Sequence, residues 1–317
     1  MTIGIGMGLA NFPFAGADGF WRWVEMCETG GVDSLWQTDR LVSKEPVLEC
    51  MSAMAAMAGA TKRLRFGMNV ASVGMRDPLL LAKQCATIDV LSNGRLLPAF
   101  GIGSIRSPDW KATGRETKGR GVKTDEGLEI IERLWRGESV TMDGEHFKYS
   151  NVRISPLPVQ KNFPLWIGGS TAAAVRRTAR FGTGWIAAFE SPAEAGATVT
   201  AIKQATAEQG RQIDEDHYGT GISFRFGKWD EPFVAKAAEA FQARTGRDPK
   251  GQMVVGDGRD IRRRIDQFIA AGLSKFVMRP IAQGDTEAID QTRLLIDEIV
   301  SEMQGKDIRP EDVMAAE

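Results

Sequence analysis

The chain has 317 residues, 43% hydrophobic and 26% charged, with a formal net charge of −1. That is enough apolar material for a sizeable core, and a near-neutral balance without a Lys/Arg block gives no electrostatic basis for binding nucleic acid or an anionic membrane. No apolar run approaches the length of a bilayer span. Three cysteines (Cys27, Cys50, Cys85) and two histidines (His146, His217) leave almost nothing from which to build a disulfide framework, a metal site or a histidine-based triad. If the chain is an enzyme, a bound organic cofactor is the natural source of its chemistry.

Met1 to Ile5 runs without a basic start or cleavage region into a first strand, Ile3–Gly8, which fits a cytoplasmic protein. A helix, Gly19–Thr29, stops at Gly30-Gly31, and a strand at Asp33–Gln37 follows. Next come a helix at Pro46–Ala60, a strand at Leu64–Val70, a helix at Leu79–Leu91 and a strand at Arg95–Gly101. The stretch from about 104 to 161 is too long for one crossover. It holds a polar segment (Ser107–Gly121), a helix (Lys123–Trp135) and a hairpin (Ser139–Tyr149) turning at Asp143-Gly144. Alternation resumes with strands at Pro164–Gly168, Gly184–Ala188 and Gly219–Phe226, separated by helices at Ala172–Phe181 and Pro192–Gln209. A partly helical excursion, about 228 to 252, precedes a helix at Asp260–Ala271, a strand at Lys275–Arg279 and a helix at Thr286–Met303. The polar tail, 305–317, is expected to fray.

Eight strands, several of them near-continuous apolar runs, alternate with helices. The pattern predicts an α/β fold: a single (β/α)8 TIM barrel over residues 1–317, with insertions at its C-terminal face. A doubly wound open sheet is the rival and is less usual at this strand count. In a barrel, residues at the C-terminal strand ends carry function. Asp39 and Asn69 stand there, as cofactor contacts or as a loop cap and a satisfied interior amide. Gly101 and Gly103 allow close backbone approach, or simply turn a barrel corner. Gly168-Gly169-Ser170-Thr171 opens a helix, so its backbone N–H groups suit a phosphate, or it is a plain capped turn. Arg106 and Trp110 fall in the long loop, within reach of substrate or of an interface, and Phe12 and Phe14 line a pocket or plug the first loop.

Several segments, in order, resemble the bacterial luciferase-like monooxygenase family. Gly31-Val32-Asp33-Ser34-Leu35-Trp36-Gln37-Thr38-Asp39 is similar to its G-F-D-S-x-W-x-x-D-H, and Arg76-Asp77-Pro78 with Ala82-Lys83 to its R-x-P…A-K. Leu91-Ser92-Asn93-Gly94-Arg95 resembles L-S-x-G-R. Leu134-Trp135 and Gly137, with Gly144 and Phe147, resemble L-W-x-G…G-x-x-F/Y. Pro164-Leu165-Trp166-Ile167-Gly168-Gly169 and Gly182-Thr183-Gly184-Trp185 resemble P-x-W-I-G-G and G-D-G-W. The resemblance implies a flavin-type cofactor, FMN in some members and F420 in others, lying across the barrel mouth. It also implies a non-proline cis peptide after strand three, here at Ser72-Val73.

On that resemblance the cofactor set is Asp39, Asn69, Ser72, Val73, Gly101, Gly103, Gly168, Gly169, Ser170 and Thr171, with no metal. Arg40 replaces the family's usual His and cannot donate a proton near neutral pH. It can stabilise negative charge on a reduced ring or hold an anionic substrate, or it is a salt-bridged loop residue. Ser104 stands where some F420-dependent relatives carry a catalytic Glu. Arg40 and Arg106 are therefore the candidate catalytic residues. The expected activity is a monooxygenase using reduced FMN, supplied by a separate reductase, and O2 on a small organic substrate, in a homodimer. The alternatives are an F420-dependent reductase or dehydrogenase and a non-catalytic flavin-binding protein.

Overall fold

The computed structural model describes residues 1–314. Strand and helix alternate in the order β1 (Gly4–Leu9), α1 (Ala17–Thr29), β2 (Ser34–Gln37), α2 (Cys50–Ala60), β3 (Arg65–Met68), β4 (Ala71–Ser72), α3 (Pro78–Ser92), β5 (Leu96–Leu97) and β6 (Ala99–Gly101). The long connection holds α4 (Asp109–Ala112), α5 (Arg120–Trp135) and an antiparallel hairpin of β7 (Val140–Asp143) and β8 (Lys148–Val152). Then follow β9 (Trp166–Gly168), α6 (Ala172–Phe181), β10 (Gly184–Ala187), α7 (Pro192–Ala207), β11 (Tyr218–Phe226), α8 (Pro232–Thr245), β12 (Met253–Gly256), α9 (Gly258–Ala270) and β13 (Lys275–Pro280). The chain closes with α10 (Gly284–Leu295), a π turn (Ile296–Val300), α11 (Ser301–Met303) and α12 (Pro310–Met314).

The result is an α/β fold on a curled parallel sheet, in the order β4-β6-β9-β10-β11-β13-β1-β2-β3-β5, with β12 on the side of β11. Two predicted strands are each split. Residues 65–72 break at a cis Asn69-Val70 bond, and residues 96–101 break at Pro98, which has no N–H to donate. β3 pairs with β5 and β4 with β6, so pieces of the same two segments stand at both ends of the path.

Alternation gives the sheet two faces. Ile5, Met7 and Leu9 of β1 join the main core under the helices. Gly4, Gly6 and Gly8, between them, face inward because large side chains from other strands fill that side. A Cβ on Gly6 would sit 2.6 Å from Ser34 and 3.2 Å from the Trp36 ring nitrogen, and one on Gly8 2.6 Å from Val277. Trp36, Leu97, Ala99, Trp166, Ile186 and Val277 pack together as the inner-face plug, with Trp36 and Trp166 edge to face at 6.2 Å. Helix starts are set locally: Asp77 caps α3 ahead of Pro78, and Ser191 with Glu194 and Asp257 with Asp260 form capping boxes.

The structure corrects four expectations. The cis bond is at Asn69-Val70, not Ser72-Val73. Pairing along this segment lapses at 69–70 and resumes at Ala71 and Ser72, whose N–H donates to Asp39. The hairpin lies on the flank of α5 rather than over the C-terminal strand ends, because the Glu126 carboxylate accepts the N–H groups of Glu145, His146 and Phe147. Helix α2 begins at Cys50, capped by Glu49, so 46–49 is not helical. The tail does not fray as far as Met314: Thr2 pairs with Asp307 and α12 packs on α9, while 315–317 lie outside the described residues. All three cysteines are free and buried, and burial pushes the Cys27 and Cys85 thiols upward. Among the described residues no helix is long and apolar enough to cross a membrane.

Candidate functional site

The C-terminal strand ends surround a cavity of about 420 Å³, within the range of small-molecule sites. Of the predicted residues, Arg40, Asn69, Gly101, Gly103, Gly168 and Gly169 line it, together with Ser104. Val70 supplies a wedge between two glycine-ended strands. A Cβ at Gly101 would come 2.8 Å from Val70 Cγ2, and one at Gly168 3.1 Å from both Val70 methyls. Side chains there would collide with the wedge; their absence keeps the mouth open. Gly103 adopts a left-handed φ of 70° and passes over Ser72 and Trp110, whose rings and hydroxyl a Cβ would crowd.

Asn69 is fixed by its backbone, which donates to Gln37 O at 2.9 Å. Its side-chain Nδ2 is buried at the cavity and has no partner among the described residues. A buried amide donor left unpaired costs about 1–3 kcal/mol, so such a group at a cavity points to a missing acceptor.

Other predicted residues sit elsewhere. Asp39 is buried in a bidentate pair with Arg76 (2.7 and 2.8 Å) and accepts the Ser72 N–H at 2.9 Å. Glu49 also meets Arg76 at 3.0 Å. Asp39 therefore anchors the loop after β4 and does not line the cavity. Val73 is in the main core. Ser170 donates to the buried Glu190, and Thr171 caps α6 by accepting the Ala174 N–H. Glu190 also accepts the N–H groups of Ala188 (2.7 Å) and Phe189 (3.0 Å), so it ties together the ends of β9 and β10. Arg106 is exposed and outside the lining. Trp110 is buried, donating to Ser104 O at 2.9 Å, and acts as a loop support. Phe12 and Phe14 pack on Phe20 as a plug.

Sequence reasoning missed Arg244 on α8, Arg279 on β13, and Phe189 and Phe241. The Arg279 guanidinium lies flat along Gly221, where a Cβ would approach Nη2 to 2.5 Å. Burial, with Arg244 nearby, pushes Arg279 down to about 10, so it remains charged at neutral pH. Arg244, exposed as a residue, lies over the rings of Phe189 (5.5 Å) and Phe241 (5.9 Å); partial desolvation there and then Arg40 lower it. One signal for Arg279 was readable: in Lys275-Phe276-Val277-Met278-Arg279, alternation puts both charges on the face opposite Phe276 and Met278.

A model of the family described as luciferase-like monooxygenase matches residues 13–281. An uncharacterized protein of Mycobacterium tuberculosis is 31% identical over 168 residues, 53% of this chain and 57% of that one. The chain spans about half the length of the curated relatives it matches. A monooxygenase of Streptomyces bottropensis superposes with a TM-score of 0.81 at 18% identity, covering 94% of this chain and 99% of the other. An F420-dependent secondary alcohol dehydrogenase, solved with an F420-acetone adduct, gives 0.80 at 19%, covering 94% and 98%. At these identities the likeness is one of fold.

Proposed function

The chain belongs to the luciferase-like monooxygenase family, and from that premise we propose that it is an oxidoreductase holding a flavin-type cofactor at the C-terminal strand ends of a (β/α)8 barrel. The carrying observation is the orphaned Asn69 amide beside the Val70 wedge, flanked by Gly101 and Gly168. A planar ring with polar edge atoms fits all three features. Asn69 donates to that edge, and the side-chain-free strand ends let the ring approach the backbone. The backbone at Gly169–Thr171, at the α6 N-terminus, receives the phosphate through N–H groups alone, because the Ser170 hydroxyl is committed to Glu190.

When bound, the cofactor supplies electrons, either to O2 or as hydride. The protein orients it, excludes water and tunes charge. Arginine is the only ionisable residue type in the lining. Oxidising an alcohol by hydride removal also requires a group to take the hydroxyl proton, and no lining side chain offers one. This favours the monooxygenase, with reduced FMN and O2, over an F420-dependent dehydrogenase. Arg40 takes the part of stabilising negative charge on the reduced ring. The F420 reading is kept as the second, on the fold shared with the alcohol dehydrogenase.

The test is absorbance titration with FMN and with F420, followed by O2 uptake with reduced FMN. FMN should bind, and Asn69→Leu should weaken it by about tenfold. Binding of F420 alone selects hydride transfer; binding of neither overturns the cofactor reading.

A further inference from the structure

Among the described residues, Arg76 is paired with Asp39 and Glu49, Arg225 with Glu231 and Glu287, and Arg177 with Asp125. The three arginines of the cavity, Arg40, Arg244 and Arg279, make no ion pair or side-chain hydrogen bond with any described residue, and the lining contains no Asp or Glu. Three guanidiniums thus converge on one space without a counter-charge. Two are positioned by contacts that leave their N–H donors unused: Arg244 on the Phe189 and Phe241 rings, Arg279 along the bare face of Gly221. Concentrating like charge in a partly desolvated site is unfavourable unless an anion completes it.

Resting on the oxidoreductase reading above, we infer that the substrate carries a carboxylate or phosphate group, which Arg279 and Arg244 grip, leaving Arg40 for the reduced ring. The substrate, rather than the cofactor phosphate, is the fitting anion because of the sheet order. Arg279 leaves β13, which β10 and β11 separate from β9, where the phosphate turn lies. Guanidinium forks suit the paired oxygens of carboxylate and phosphate. The Phe189 and Phe241 rings add an apolar wall for the remainder of the molecule.

The experiment is isothermal titration of the full chain at fixed ionic strength with succinate, inorganic phosphate and uncharged succinamide. It is repeated with saturating amounts of whichever of FMN and F420 binds, and on Arg279→Gln and Arg244→Gln. Arg244 is on the exposed helix α8, so its variant serves if Arg279→Gln does not fold. Succinate or phosphate should bind where succinamide does not, and should weaken by about tenfold or more in each folded variant, with cofactor affinity unchanged. Equal binding of succinamide, or anion binding that both variants retain, overturns the inference. So does loss of cofactor affinity in the variants, or displacement of the anion by the cofactor, because the arginines then serve the cofactor's phosphate. If neither cofactor binds while succinate binding persists and depends on the arginines, the anion site stands and the oxidoreductase reading alone fails.

Discussion

Lys275 and Arg279 stand four residues apart on the inner face of β13, yet they meet opposite surroundings. Lys275 faces Asp33, which also pairs with Arg65, and its ammonium lies 3.4 Å from Thr2 O. Arg279 faces an acid-free cavity and two further arginines. Below, Trp36 and Trp166 fill the space against glycines; above, glycines leave it open. One strand therefore serves a floor where its cation has a carboxylate beside it and a mouth where its cation has none. Burial satisfied by neighbours builds the fold; an unpaired polar group at a cavity, as at Asn69, points to a ligand.

The largest effect should come from the supporting ring of ion pairs. Asp39→Ala leaves Arg76 with Glu49 as its only carboxylate and frees the Ser72 N–H, and should cost about 3 kcal/mol in urea denaturation. A loss below about 0.5 kcal/mol would return Asp39 to the cofactor set. Next is Gly67→Ala, at the plug. Its Cβ would approach Leu97 O to 2.3 Å and the Trp36 ring to 2.8 Å, so about 1–3 kcal/mol should be lost. Arg279→Met should go the other way and gain about 1 kcal/mol while anion binding disappears, since it removes a charge with no partner. A net loss of stability would show that Arg279 has a structural partner. The smallest effect concerns acid. Burial alone would raise the Asp33 carboxyl; Arg65, then Lys275, overcome this and hold it below the usual range. Its contribution is present above about pH 4 and is lost as pH falls through the lowered value. Thermal melts of Asp33→Asn should therefore fall less steeply below pH 4 than those of the parent.

The parallel strands were legible within about two residues because each is an apolar run closed by glycine or a polar turn, as in Gly184–Ala187 and Lys275–Pro280. The breaks at Asn69-Val70 and Pro98 were not, since both segments read as continuous strands. β12 was missed as a short strand at the end of an irregular excursion. At the site, the glycines and Asn69 announced themselves by their position at strand ends. Asp39 drew notice for the same reason, but position alone does not reveal that Arg76, 37 residues on, claims both carboxylate oxygens. Arg244 lay hidden because helical spacing in α8 says nothing of which loop the helix leans over. Glu190 and Asp109 were missed likewise; the second accepts the N–H groups of Leu41 and Val42 and so joins two loops across the mouth.

The most direct test of the central claim is diffraction from crystals of the chain soaked with whichever of FMN and F420 binds it. The account predicts ring density against Val70, between Gly101 and Gly168, with Asn69 Nδ2 about 2.9 Å from a ring acceptor. A cofactor seated elsewhere, or an Asn69 amide turned to a protein partner in its presence, would contradict it.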